Sequence, residues 1–427
     1  MVTGTSLSDV FPLGSRLNER GRLEVGGCDT IELAREFGTP AYVVAEDDLR
    51  ARARAFAAAG RNEGHEDFHV VFASKAFPCT AVLELFAREG LWCDVATGGE
   101  LHLALNAGFR PQRIVLHGNA KSEAELRAAL HARVGLIVVD NFDEIERLQR
   151  LTSEVGAGEQ ERQSVLVRVT PGVRGETHEK ISTGQADSKF GFSMEQAGEA
   201  LARVRAAAGL SLEGVHAHIG SQLLGLEPFR AEAAELAKLG DFPVWNLGGG
   251  LGVRYTAEQQ APPAIEEYVA ALVKAADVHG MGSRRLLIEP GRSLSANAGV
   301  TLYSVESVKR NVSLWVAVDG GMSDNLRPML YGASYEAHVV DRFDGASECV
   351  LAGKHCESGD VIVRGARLDD PKPGDVIVTP ATGAYGYAMA SNYNGVPRPP
   401  VLFCRDGDAR VVVRRESFED LTVRDVR

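Results

Sequence analysis

The chain has 427 residues, more than one ordinary hydrophobic core organises, so two domains are expected. Its 44% hydrophobic and 24% charged residues suit a globular protein, and Lys+Arg 46 against Asp+Glu 58 leave a net charge of -12, which disfavours nucleic acid and anionic membrane as partners. Six cysteines (28, 79, 93, 349, 356, 404) show no CxxC or zinc-type spacing, so reduced thiols and no metal are expected; no leader and no bilayer-long apolar run is visible, which predicts the cytoplasm.

Residues 1–40 show no clear period. A strand is predicted at Ala41–Ala45 and a helix from Asp47 to Ala59. Short apolar runs then recur at 69–75, 91–97, 114–118, 135–140, 164–169, 213–219, 244–250 and 285–291. Between them lie stretches of helical spacing at 80–89, 99–107, 122–132, 143–153, 194–208, 226–239 and 264–279. Strand–helix alternation calls for parallel strands with crossover helices, and continuous apolarity suits strands buried on both faces. Eight strands in about 250 residues predict a (β/α)8 TIM-like barrel. A doubly wound sheet competes, because Gly248-Gly249-Gly250-Leu251-Gly252 is glycine-rich. Position 253 is Val, however, so GxGxxG fails, and the segment follows the seventh strand rather than the first.

After about residue 296 the runs become rich in Val, Thr, Tyr and Ile and are separated by Gly, Pro and Asp, at 301–308, 313–318, 335–340, 347–352, 360–364, 375–379 and 400–404. This texture predicts an all-β C-terminal domain, a barrel or sandwich, with a hairpin around Asp406-Gly407-Asp408. The expected division is an N-terminal segment 1–40 pairing with the β domain, a barrel over 41–296 and a β domain over 297–427. Residues 171–193 are too long for an ordinary loop after the fifth strand, and long loops in compact domains are usually functional or disordered.

In such a barrel the site lies at the C-terminal ends of the strands. Lys75 ends the first run, Asp94 lies in the second, His218 ends the sixth, Gly248, Gly249 and Gly250 end the seventh, and Glu289 with Arg292 end the eighth. Each has an ordinary alternative: a solvated lysine, a core histidine, a plain turn, a strand-end ion pair. Together they suggest an amine, a phosphate cradle, a carboxylate and a flat imidazole, which is what pyridoxal 5'-phosphate requires. His216 lies two residues before His218, on the same strand face and one layer deeper.

Ordered segments carry a resemblance over nearly the whole chain: FASKAF at 72–77, CDVATGGEL at 93–101, HAHIGSQ at 216–222, NLGGGLG at 246–252, EPGRS at 289–293, DNLRPMLYG at 324–332, CESGD at 356–360 and GAYGYAMASNYNG at 383–395. The sequence resembles the diaminopimelate decarboxylases, a family of the alanine-racemase-like (fold type III) pyridoxal-phosphate class. The resemblance implies decarboxylation of meso-diaminopimelate to L-lysine and CO2. It implies that Lys75 carries the Schiff base, His218 stacks on the cofactor and Glu289 pairs with the pyridine nitrogen. Asp94, Ser221, the three glycines, Gly291, Arg292 and Tyr385 would complete the cofactor site. Arg292, Arg327, Tyr331, Glu357 and Tyr385 would hold the substrate, and Cys356 would donate the proton that replaces CO2. Cys356 and Glu357 would come from a partner subunit, implying a homodimer with shared sites. The resemblance also implies a lid over 171–193, from which His178 and Lys189 could reach the site. A structural cysteine remains the ordinary alternative for Cys356, and a solvated arginine for Arg327. Relatives acting on carboxynorspermidine, arginine, ornithine or a D-amino acid, a racemase, and a non-catalytic pyridoxal-phosphate binding protein are the competing functions.

Overall fold

A computed structural model describes residues 7–155, 162–173 and 188–426. The chain divides into two compact units, one of Arg52–Gly252 with Ala261–Gly291, the other of Met1–Ala51, Val253–Gln260 and Arg292–Arg427.

The first unit is the barrel. Its strands are β1 (Phe68–Ala73), β2 (Trp92–Val95), β3 (Ile114–Leu116), β4 (Leu136–Val139), β5 (Gln163–Thr170), β6 (Leu210–His216), β7 (Val244–Asn246) and β8 (Arg285–Ile288). All pair in parallel, β8 returns to β1, and β4 pairs with β5, so the sheet closes. Each apolar run predicted from the sequence overlaps one of these strands. The crossover helices start where side chains can satisfy their free amides. Ser122 accepts from Glu125 N while Glu125 reaches back, and Ser193 does the same with Gln196. Inside the barrel Val71, Trp92, Val115, Leu136, Val138, Leu166, Val244 and Leu287 form one buried cluster. A buried side chain of this size contributes about 1.5–3 kcal/mol, so this layer anchors the strands in register.

The second unit is built on a sheet whose longest strand, Gly299–Arg310, pairs with Leu314–Val318, Val376–Thr379 and Ala41–Ala45. Ala41–Ala45 also pairs in parallel with Val401–Arg405, which forms a hairpin with Asp408–Val413. Residues 41–51, 253–260 and 292–296, expected in the barrel, therefore belong here. The reason is non-local. All five residues of Ala41–Ala45 are buried, and such a run fits any two-sided sheet; only its partners, more than 250 residues away, decide which one. The division falls within the helix Glu46–Asn62. The N-terminal segment forms a small three-stranded sheet, and its Val10, Phe11, Leu23 and Val25 share one apolar cluster with Val43, Val300, Leu302, Val378 and Leu402.

Candidate active site

Strand periodicity explains where polar groups gather. Successive residues alternate faces, so the residue two beyond an inward apolar side chain also points inward, one layer higher. Two positions after Trp92, Val115, Val138, Leu166, Val244 and Leu287 stand Asp94, His117, Asp140, Arg168, Asn246 and Glu289, all buried. A polar layer therefore caps the apolar one at the C-terminal ends of the strands.

Glu289 is its hub. Asn246 Nδ2 donates to Oε1 at 2.6 Å, and His216 Nε2 donates to Oε2 at 3.2 Å. His117 Nε2 lies 2.7 Å from Oε1 and 3.8 Å from Asp94 Oδ1. Burial alone would raise the Glu289 carboxyl, but His117 and His216 outweigh it and hold the group well below the usual range, hence ionised. Burial pushes Asp94 up to about 6, with His117 opposing and the Glu289 charge assisting. His117, His216 and Glu289 bring three ligand atoms within 4.8 Å of one another, so the same trio has the donor set of a metal site.

Burial also pushes the His216 imidazole down to about 4, against the pull of Glu289. The ring is then neutral at pH 7 and gives its Nε2 proton to the carboxylate. The sign of the linkage follows. Between about pH 4 and 6.5 the unfolded chain binds a proton here and the folded chain does not, so stability is lost as pH falls through that window. The loss amounts to about 3 kcal/mol at ~1.4 kcal/mol per pH unit. Urea unfolding at pH 7 and pH 4 should show this acid loss shrinking by that amount in His216→Gln; an equal loss in both proteins would assign the acid sensitivity elsewhere.

Lys75 does not end the strand. β1 stops at Ala73, and Lys75 lies in the 3-10 turn Ser74–Ala76. Its flanking residues Ala73, Ser74, Ala76 and Phe77 are buried while Lys75 is exposed, and its charge acts on both Asp94 and His218. Burial first, then the Lys75 charge, pushes His218 well below its ordinary value. The Gly249 N–H donates to His218 Nδ1 at 3.1 Å, which assigns the ring proton to Nε2 and fixes the ring plane.

The strand-seven glycines have a tighter role than a phosphate cradle. Gly248 N–H donates to Asn246 Oδ1 and Gly249 N–H to His218; of the three, only the Gly250 N–H has no acceptor among the described residues. A Cβ on Gly249 would lie 2.1 Å from the Glu289 carbonyl oxygen, and one on Gly248, at φ +57°, 2.3 Å from that of Ala217. These glycines first let the chain ends of β6, β7 and β8 approach, and only Gly250 is left to serve an anion.

Ser221 follows β6 and is partly buried, and Gly291 packs where a Cβ would lie 3.0 Å from that of Ala73. At the end of the candidate lid, Gly191 N–H donates to Asp140 Oδ2 at 3.0 Å, and Phe190 lies under Arg168 (4.3 Å) and Lys189 (4.8 Å). His178 lies outside the described residues.

The second unit gathers the other candidates. Arg292, in the short helix Arg292–Ser295, and Arg327, in Arg327–Tyr331, are both buried. Arg292 donates to the Tyr255 hydroxyl, and Arg327 to that of Tyr335. Their guanidinium carbons lie 4.9 and 5.9 Å from the Tyr385 ring. Among the described residues Arg327 forms no ion pair with a carboxylate. A guanidinium this buried is normally matched to an anion, so the cluster suits an acidic ligand. Burial opposes ionisation of Tyr255, but Arg292 and Arg327 overcome it and lower the phenol. Tyr331 is partly buried, whereas Cys356 and Glu357 are exposed.

Residues 46–296 match the model of the pyridoxal-dependent decarboxylases, pyridoxal binding domain. Diaminopimelate decarboxylase of Bacillus subtilis is 45% identical, covering 96% of this chain and 97% of its own, and that of Actinosynnema pretiosum subsp. auranticum is 46% identical, covering 98% and 95%. The crystal structure of diaminopimelate decarboxylase from M. jannaschii in complex with L-lysine superposes with a TM-score of 0.91 at 32% identity, covering 98% of this chain and 99% of that one. The chain belongs to the diaminopimelate decarboxylase family.

Diaminopimelate decarboxylases are pyridoxal-dependent, and the barrel residues fit that cofactor. A carboxylate has about four accepting positions. Asn246 and His216 account for two on Glu289, and His117 lies close by at 2.7 Å, leaving room for one protonated ring nitrogen. His117, Asn246, Tyr255 and Tyr335 escaped the motif search. The two-residue offset from the apolar layer would have found His117 and Asn246; nothing local distinguishes the two tyrosines.

Proposed function

We propose that this protein removes the carboxylate at the D-centre of meso-2,6-diaminopimelate, releasing L-lysine and CO2, with pyridoxal 5'-phosphate as cofactor. The buried Arg292–Arg327 pair carries the substrate assignment. Decarboxylases of diamino acids such as ornithine meet a distal ammonium, which calls for acidic groups; diaminopimelate presents a second carboxylate as well, which calls for guanidinium. In this reading Arg292 and Arg327 hold that carboxylate, with Tyr331 and Tyr385 beside it, and Glu357 takes the amine.

When bound, the cofactor supplies an electron sink for the pair left at Cα. Lys75 Nζ would be the group that holds the cofactor. Glu289 would hold a proton on the ring nitrogen, and its donors Asn246 and His216, with His117 close by, keep Glu289 ionised and aimed. His218, its tautomer set by Gly249, offers a flat face, while Asp94, Ser221, Gly250, Gly291 and Tyr385 complete the binding set. Cys356 Sγ delivers a proton to Cα. Of six cysteines it alone is exposed, as a donor to bound substrate must be. Cys356 and Glu357 act in the site of a second copy of the chain, so the working form is a homodimer. We place it in the cytoplasm; no described helix is long and apolar enough to cross a membrane.

The test is CO2 release by the cofactor-loaded protein from meso-diaminopimelate, ornithine, arginine, carboxynorspermidine and D-lysine. Release is expected from diaminopimelate alone. A faster reaction with any other member, or none with diaminopimelate, overturns the assignment.

A further inference from the structure

We propose that Asp360 is a positioning residue for Cys356, acting through His355; the inference rests on the proton-donor reading of Cys356. Asp360 is buried, yet it stands four residues from an exposed cysteine. Its Oδ2 accepts from the His355 amide at 2.9 Å and from His355 Nδ1 at 2.8 Å; its Oδ1 accepts the Met322 amide at 2.7 Å. Its carbonyl accepts the Gly353 amide at 3.0 Å, and Lys354 N–H bonds to the Gly320 carbonyl at 2.9 Å. One carboxylate thus ties the segment carrying Cys356 and Glu357 to the start of the segment carrying Arg327 and Tyr331.

The surroundings are cleared for this group. A Cβ on Gly321 would lie 2.5 Å from both carboxylate oxygens, and one on Gly353 2.1 Å from Oδ2. Side chains at either glycine would displace the carboxylate. On the other side the His355 ring stacks on Tyr393 (5.7 Å, 10° between planes), and the neighbouring Asn394 Oδ1 accepts the Cys356 amide at 2.8 Å. The backbone leading into the Cys356 Cα is therefore held twice, at His355 by Asp360 and at the Cys356 amide by Asn394. The thiol is left exposed on a fixed stem, which is the arrangement a single directed proton transfer needs.

Asp360→Asn tests the charge without changing the shape. Both carboxylate oxygens accept, so either orientation of the amide sets its NH2 against an N–H donor. The His355 ring is released and the Cys356 stem loosens. In the holoenzyme, kcat should fall about 10- to 100-fold, the cost of a small misplacement of a reacting group. The visible absorbance of the bound cofactor should stay close to wild type, while the mismatch of N–H groups at this buried site should lower the melting temperature by a few degrees. Alkylation of Cys356 by iodoacetamide, followed by peptide mass, should speed up several-fold; the other five cysteines are buried and serve as the internal control. His355→Asn and His355→Ala guard against a folding defect at 360. The asparagine amide occupies the Nδ1 place and can still donate to Asp360, so it should restore most of the activity and the slow alkylation that alanine loses.

Unchanged alkylation and kcat in a folded Asp360→Asn holoenzyme overturns the proposal, as does equal behaviour of His355→Asn and His355→Ala. Faster alkylation with unchanged kcat upholds the anchoring but overturns Cys356 as the proton donor, so the two failures are told apart.

Discussion

Lys75→Ala should abolish the visible absorbance of the bound cofactor and lower turnover by at least about 10^3-fold, the scale on which removal of one member of a concerted catalytic unit is felt. The effect is chemical. Lys75 is exposed in a turn whose flanking residues are buried, and truncating a side chain at such a position normally changes stability by less than about 0.5 kcal/mol. A melting temperature near wild type together with a colourless protein is the expected pair of results. The loss of the Lys75 charge should also be felt by His218, whose protonation that charge opposes. A variant that keeps the absorbance band and full turnover removes Lys75 from the mechanism.

Cys356→Ala should bind cofactor with an unchanged spectrum and release CO2 roughly 10^2- to 10^4-fold more slowly, the range lost with a positioned general acid. The thiol is exposed, so alanine leaves no core cavity, and the Asn394 bond is made by the backbone amide, which alanine keeps. Single-turnover measurement of CO2 release and of lysine formation separates the steps. Lysine formation should slow even where CO2 loss is detectable, because the proton is needed after the carboxylate leaves. Turnover within twofold of wild type would assign the proton to another group.

Much of the barrel is legible in the sequence because its rules are local. Strands buried on both faces read as unbroken apolar runs, crossover helices carry their own period and caps, and each of the eight predicted runs overlaps a strand. Lys75, Asp94, His218 and Glu289 are legible for the same reason, as polar residues in or just after apolar runs. Two things were not local. Ala41–Ala45 has the texture of a barrel strand, but its hydrogen bonds go to Gly299–Leu302 and Val401–Cys404. The strand-seven glycines look like a phosphate loop, yet two of their three amides are taken by Asn246 and His218.

The amino-acid sequence by itself determined the order of strands and helices and the family, because these depend on periodicity and on motifs that a linear reading keeps intact. Only the tertiary structure decided which groups set the charge of Glu289. His117 follows β3, His216 and Asn246 end β6 and β7, and closure of the barrel alone brings them to the one carboxylate that follows β8. It alone made Asp360 the clamp of the Cys356 segment, since Gly321 and Met322 lie well before Gly353 in the chain and the two segments meet around that buried carboxylate. Burial turns these neighbours into energetics, because a carboxylate removed from water persists only where donors from distant segments converge on it.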